Sequence, residues 1–163
     1  MIHPTAIIDE NVSIGFGTNI WAFTHISEGA SIGENCTIGE GVHIGKNVII
    51  GNNCRIQNHS LIYEGVEIGN DVMISPNVVT TNDIFPQLPV CDWKERFRKT
   101  IIEDRVSIGA NTTIVCGVTI HSDSMVGAGS VVTKDIQSNE LHYGNPAKFA
   151  RFINKENIWK KKP

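Results

Sequence analysis

Isoleucine recurs at positions 2, 8, 14, 20, 26, 32, 38, 44, 50, 56, 62, 68 and 74, thirteen times at an unbroken spacing of six. A fixed internal period of this kind decides the fold before any local propensity does. Six is neither the period of an amphipathic helix nor that of a half-buried strand. The fourth residue after each isoleucine is constrained too: Ala6, Val12, Thr18, Thr24, Ala30, Cys36 and onward to Val78 are all small or β-branched. Such side chains suit short strands facing a narrow interior. The third residue after each isoleucine is Gly, Asn, Asp or His in eleven of thirteen repeats, with Thr5 and Phe23 the exceptions. Those residue types enter the left-handed backbone region most readily. Each hexapeptide therefore reads as a short strand followed by a left-handed corner.

Three hexapeptides make a triangular coil of eighteen residues. Stacked coils pair as parallel strands about 4.8 Å apart, with an aliphatic ladder along the axis. Stability in such a solenoid comes from neighbouring coils. The spacing predicts one all-β domain over 1–163, with coils at 2–80 and 102–137 and a C-terminal strand and helical cap over 138–163. The tail "FINKENIWKKKP" has helix-like spacing and a basic finish. The period does not fix the handedness of the coil, and parallel crossovers are usually right-handed.

The repeat breaks once. Thr80 stands where the next isoleucine belongs, and the series resumes at Ile102, Ile108, Ile114 and Ile120. The chain leaves the solenoid at the corner after Thr80 and extrudes a loop over 81–101. A solenoid wall is flat, and a loop of this size creates the concavity a ligand needs. It carries aromatic side chains (Phe85, Trp93, Phe97) able to stack on a base and cations (Lys94, Arg96, Arg98, Lys99) able to meet phosphates. The plain alternative is an extruded loop that packs on a neighbouring subunit, and a cleft between subunits would use both.

The formal net charge of −3 implies no attraction to nucleic acid or to a membrane surface. There is no apolar run of about eighteen residues and no leader pattern in "MIHPTAIIDE", so a cytoplasmic protein is expected. The four cysteines lack metal spacing. Cys36 and Cys54 share the small inward position of adjacent coils and read as core residues. Cys116 falls in a turn and Cys91 in the loop, neither beside an evident activating group.

The repeat resembles that of the hexapeptide-repeat acyltransferases, which implies a left-handed parallel β-helix that trimerises. The stretches "NIWAFTHI", "IQNHSLIYEGVEIGNDVMISPNVVTTND", "SIGANTTIVCGVTI", "VGAGSVVTKDI" and "GNPAK" narrow this to nucleotide-sugar N-acetyltransferases acting on a 3-amino sugar linked to dTDP or UDP. "TTNDIFP" looks more like the deoxyhexose enzymes than the uronic-acid ones. The resemblance implies acetyl-CoA lying along the outside of the helix between subunits, with the sugar nucleotide in the same cleft. Asn82 matches a family asparagine that contacts the reacting amine. An amide is no base, but it can accept one hydrogen bond and donate others, and so position the nucleophile.

His59 is the second catalytic candidate, as a base for the amine proton, against its reading as a corner residue. Asp83 and Glu64, near one corner column, are candidates for the sugar hydroxyls or the ammonium. Phe85 and Arg98 are further substrate candidates. Gln87 stands where the family usually has arginine, which removes one expected anion contact. For acetyl-CoA the resemblance points to Ala110 and Asn111, to Ala128, and to "GNPAK" at 144–148. Lys134, Lys148 and Arg151 are candidates for its phosphates by charge. No metal is expected.

Other readings compete. Acetyl transfer to a hydroxyl or a 4-amino sugar would keep the fold. A zinc lyase of the carbonic anhydrase type needs three converging histidines. His25 and His43, eighteen apart, should stack on one wall, but no pair has the H-x-x-x-x-H spacing. A non-catalytic scaffold gives no reason for an interruption at one corner.

Overall fold

The computed structural model describes residues 1–88 and 93–154, with the side chains of residues 93 and 94 excepted. The hexapeptides wind into a parallel β-solenoid with three faces. Face 1 has seven strands: Ile7–Ile8, His25–Ile26, His43–Ile44, Leu61–Ile62, Val79–Thr80, Thr113–Ile114 and Val131–Val132. Face 2 runs from Ser13–Ile14 through Ser31–Ile32, Ile49–Ile50, Val66–Ile68 and Thr100–Ile102 to Thr119–Ile120. Face 3 begins at Asn19–Ile20 and continues through Thr37–Ile38, Arg55–Ile56, Met73–Ile74, Ser107–Ile108 and Met125–Val126 to Glu140–Tyr143 and Lys148–Phe152.

The register keeps like beside like. Ile26 pairs with Ile44 and Ile44 with Ile62, so the isoleucines form unbroken internal ladders. Those from Ile20 to Ile120 are at most 3% exposed. The small inward positions fill the axis between them, and their polar atoms are satisfied locally. Thr24 Oγ1 donates to the Gly39 carbonyl at 2.8 Å, and the Cys36 and Cys54 thiols donate to Gly51 and Gly69 at 3.1 Å. Both cysteines are fully buried.

The corners carry the left-handed residues that the repeat requires. Among the thirteen third positions, all but Thr5 have positive φ. Phe23 is the unexpected one, at φ 55°. Its amide is held by Thr5 Oγ1 at 3.1 Å, and the residue stacked in the next coil is Gly41, which lacks a Cβ. The corner from face 3 to face 1 is termed corner A, and the corner from face 1 to face 2 corner B.

The expected C-terminal strand is present as a hairpin. Glu140–Tyr143 and Lys148–Phe152 pair antiparallel, so face 3 closes with a hairpin and the chain is strand through Phe152. The rest of the expected helical tail, 155–163, lies outside the described residues.

Candidate active site

The loop leaves and rejoins the solenoid at corner B, between the turn at Tyr63–Gly65 and the turn at Val115–Gly117. Interrupting the ladder strands three backbone N–H groups, and three threonines answer them. Thr80 Oγ1 accepts from Tyr63 N at 2.9 Å, Thr81 Oγ1 from Cys116 N at 2.9 Å, and Thr100 Oγ1 from Gly117 N at 3.2 Å. Thr80 and Thr100 are fully buried. Thr80 is therefore no defect in the isoleucine series: the position needs a hydroxyl. Returning from the loop, Arg98 takes the corner place between Gly65 and Gly117. A Cβ on Gly117 would lie 3.3 Å from the Arg98 Cβ.

Asn82 sits at the loop base. Its backbone carbonyl accepts from Arg98 N at 3.0 Å, and no partner of its side-chain amide is found among the described residues. Its neighbour is committed. Asp83 Oδ2 lies 3.2 Å from Arg96 Nη2, Asp83 Oδ1 accepts from Phe85 N at 2.8 Å, and Arg96 Nη1 bonds the Phe85 carbonyl. Asp83 thus closes the loop on itself. Glu64, half-buried in the same corner, has no side-chain partner among the described residues and is the freer carboxylate.

The loop cations are occupied as well. Arg98 Nη1 donates to the carbonyls of Glu95 (2.8 Å) and Phe97 (3.0 Å), and Lys99 pairs with Glu67 at 2.7 Å. The loop's apolar tip is what faces outward, with Phe85 64% and Leu88 90% exposed. Cys91 lies outside the described residues, as do the side chains of Trp93 and Lys94. Cys116, 4% exposed, is buried under the loop's exit.

The three glycine-containing segments attributed to coenzyme A converge on corner A. Gly109–Asn111, Gly127–Gly129 and the turn at 144–146 occupy this corner in successive coils. Gly129 N bonds Ala110 O at 2.8 Å, and Val131 N bonds Gly144 O at 2.9 Å. The stack is tight: a Cβ on Gly109 would lie 2.4 Å from Ala128 N. Further back along the same corner are Asn77 and His59, both at φ near 58–59°. His59 is exposed, and its Nδ1 lies over Gly41, 2.5 Å from where a Cβ would be. Lys134, Lys148 and Arg151 are exposed and have no ion-pair partner among the described residues. Lys148 and Arg151 belong to the terminal hairpin, and Lys134 to corner B.

Within one chain, then, Asn82 and the coenzyme segments lie on different corners, with face 1 between them. Face 1 also carries an arrangement that motif reading missed. His25 Nε2 lies 3.1 Å from both carboxylate oxygens of Asp9. The His25 and His43 rings are 5.5 Å apart, and His43 and Tyr63 5.7 Å, giving a row that ends beside the loop base. Burial, then the neighbouring His25, pushes the His43 imidazole below its usual value. The spacing of eighteen signalled the stacking of the two histidines, but Asp9 and His25 are sixteen apart, off that register, and their contact has no such signal. No three His, Cys, Asp or Glu side chains gather as metal ligands among the described residues.

This solenoid, interrupted once at a corner, is the architecture of a hexapeptide transferase. The family description "Bacterial transferase hexapeptide (six repeats)" matches residues 11–46, 29–64 and 47–82, and "Hexapeptide repeat of succinyl-transferase" matches 99–134. Together they cover more than half the chain and leave the loop between them. The protein belongs to the hexapeptide-repeat transferase family.

It is 51% identical over 59 residues to the dTDP-3-amino-3,6-dideoxy-alpha-D-galactopyranose 3-N-acetyltransferase of Aneurinibacillus thermoaerophilus, covering 36% of this chain and 31% of that one. It is 39% identical over 87 residues to the galactoside O-acetyltransferase of Lactococcus lactis, covering 51% of this chain and 41% of that one. The chain thus spans less than half the length of these curated relatives. A crystal structure of a variant of AntD, an N-acyltransferase from Bacillus cereus, in complex with dTDP-4-amino-4,6-dideoxyglucose and coenzyme A shares the fold. Its TM-score is 0.64 at 19% identity, covering 96% of this chain and 82% of that one.

Proposed function

We propose that the protein transfers acetyl from acetyl-CoA to the 3-amino group of a nucleotide-linked 3-amino-3,6-dideoxyhexose, with dTDP as the carrier. The observation that carries this is the division of the site between two corners. Corner A supplies a close-packed run of small residues ending beside Lys148, a surface against which a pantetheine arm can lie. Corner B supplies the uncommitted amide of Asn82 at the base of a loop whose apolar side chains Phe85 and Leu88 are exposed in one chain. A homotrimer that sets the loop of one subunit against corner A of the next makes one cleft from the two halves.

In that cleft the amine attacks the thioester carbonyl carbon, the C–S bond breaks, and the thiolate takes the proton that the new amide nitrogen gives up. No covalent enzyme intermediate is needed. Asn82 holds the amine, and positioning of this kind is worth several kcal/mol of barrier. A backbone N–H facing the carbonyl oxygen stabilises the tetrahedral charge. His59 stands on corner A between the coenzyme segments and the N-terminal coils, where it can relay the proton. Lys134, Lys148 and Arg151 serve the coenzyme phosphates. The reading places the enzyme in the cytoplasm, with its acetyl-CoA supply.

The likeness to an O-acetyltransferase keeps a second acceptor class in play, a sugar hydroxyl, and the AntD complex names a 4-amino sugar. The test is thiol release from acetyl-CoA with dTDP- and UDP-linked 3-amino sugars, 4-amino sugars and a plain galactoside. Turnover with the dTDP 3-amino sugar, lowered about a hundredfold in kcat by Asn82→Ala, is the expected result. Turnover confined to a 4-amino sugar or a hydroxyl overturns the acceptor.

A further inference from the structure

The loop is the evident place to seek a nucleotide contact, yet its described cations are all engaged within the chain. Arg55 is different. It projects outward from face 3 and is exposed, and its guanidinium has no ion-pair or hydrogen-bond partner among the described residues. It lines a recess of about 440 Å³ together with Trp21, Gln57, Asn58 and Glu40.

The solenoid register explains why a recess exists there. Asn19, Thr37 and Arg55 are outward register partners on consecutive coils of face 3. One step on, Trp21, Gly39 and Gln57 stack in the same way. At the stacked positions the middle coil therefore offers Thr37 and Gly39, with Glu40 beside them, while the coils on either side offer an indole and long polar side chains. The result is a shelf two coils high, about 10 Å at the spacing of parallel strands. The floor cannot be filled without disruption: a Cβ on Gly39 would lie 2.5 Å from Asn58 Oδ1. Trp21 is 46% exposed, so its ring is available to a ligand.

We infer that this recess holds the nucleoside diphosphate end of the acceptor, with the base against Trp21 and the phosphates at Arg55. An indole beside a guanidinium is suited to an aromatic base joined to phosphate. Gln57, Asn58 and the Glu40 carboxylate offer donors and acceptors to the edge of a pyrimidine or to the ribose hydroxyls. Gln57 and Asn58 immediately precede His59, so a nucleotide seated here directs its sugar toward corner A. The coenzyme segments lie on that corner from Gly109 onward. The two substrates then meet head to head along one corner, the nucleotide in the N-terminal coils and coenzyme A in the C-terminal ones. This inference rests on the nucleotide-sugar reading of the preceding section and assigns the residues that read the carrier.

The test titrates the wild-type protein, Trp21→Ala and Arg55→Gln with dTDP, with UDP and, separately, with CoA. Expected are nucleotide dissociation constants raised about tenfold or more in each variant, the size of effect that losing one aromatic stack gives. Trp21→Phe should recover most of the first loss. The affinity for CoA should be unchanged, which also reports an intact solenoid. Nucleotide binding equal to wild type in both variants overturns the inference while leaving the acetyltransferase reading in place. Wild-type protein that binds CoA but neither nucleotide overturns that reading and this inference with it. Should a variant fail to fold, photo-crosslinking of 5-bromo-dUDP to the wild-type protein decides the matter. Label in the peptides around Trp21 or Arg55–Asn58 supports the recess, and label in the loop overturns it.

Discussion

Asp83 Oδ2 meets Arg96 Nη2 at 3.2 Å across the base of the extruded loop, with side chains only 18% and 24% exposed. That Arg96 nitrogen has no hydrogen-bond partner besides this ion pair. Removing the carboxylate strands a largely buried cation, whereas removing both groups does not. Asp83→Ala should therefore cost about 1–3 kcal/mol of stability and expose the loop to limited proteolysis. Asp83→Ala combined with Arg96→Ala should recover part of the stability. A melting temperature unchanged in Asp83→Ala, with only the acceptor KM raised, would instead place Asp83 against the sugar.

A site divided between subunits has a signature that a single-chain site lacks. On the proposed reading Asn82→Ala lacks the group that positions the amine, and Gly129→Trp blocks the corner proposed for coenzyme A, since Gly129 lies open with nothing within 4 Å of its missing Cβ. Each variant alone should be nearly inactive. Unfolded together and refolded as a mixture, they form some clefts in which the Asn82 of one subunit faces the Gly129 of another, both unaltered. Random assortment should restore about a quarter of wild-type turnover if each site takes one part from each of two neighbours. Complete absence of restored activity in the refolded mixture, with assembly verified by light scattering, places both groups in one chain.

Thr80 tests why the repeat stops. Valine has nearly the same shape and is more apolar, so a purely hydrophobic core position would gain from Thr80→Val. Here the hydroxyl accepts from Tyr63 N at 2.9 Å within a fully buried site. Losing it orphans a backbone donor, and Thr80→Val should destabilise by about 1–2 kcal/mol in denaturant unfolding. Val79→Thr, on the outward side of the same strand, should change stability far less. Equal stability of Thr80→Val and wild type would mean that the substitution of Thr for Ile there has no structural cause.

The period of six made the three faces, the isoleucine ladders and nearly all the left-handed corners legible, because each depends on the local chain and on the identical neighbour eighteen residues away. The convergence of Asn111, Gly129 and Gly144 on one corner was also implicit in that frame, as was the stacking of His25 on His43. What the sequence could not convey depends on side-chain direction where no repeat constrains it. Arg98 and Lys99 look like phosphate ligands as a string of letters, yet the first bonds carbonyls of its own loop and the second pairs with Glu67. Asp83 reads as a candidate sugar contact, and its ion pair with Arg96 has no signal in the sequence. The recess at Arg55 arises from a Gly and a Thr in the coil between two bulky ones. That contrast runs across coils and is invisible along any single stretch.

His43 links the face 1 row to pH. Burial is the larger cause of its depressed pKa and the charge of His25 the smaller, and both disfavour the protonated ring in the folded protein. In the unfolded chain the imidazole takes a proton below about 6.5. Between that value and the lower folded value, the unfolded state binds more protons than the folded state, so stability must rise with pH. The contribution is fully present above about pH 6.5 and is lost as the solution is acidified through the depressed folded pKa. The melting temperature should accordingly fall as the pH drops below about 6.5, and His43→Gln should flatten that fall. His43 is part-exposed, so the expected effect is a shift of a few degrees at most. A slope that is the same in His43→Gln and wild type would assign the acid sensitivity to other groups and leave the His25–His43 stack without a role in it.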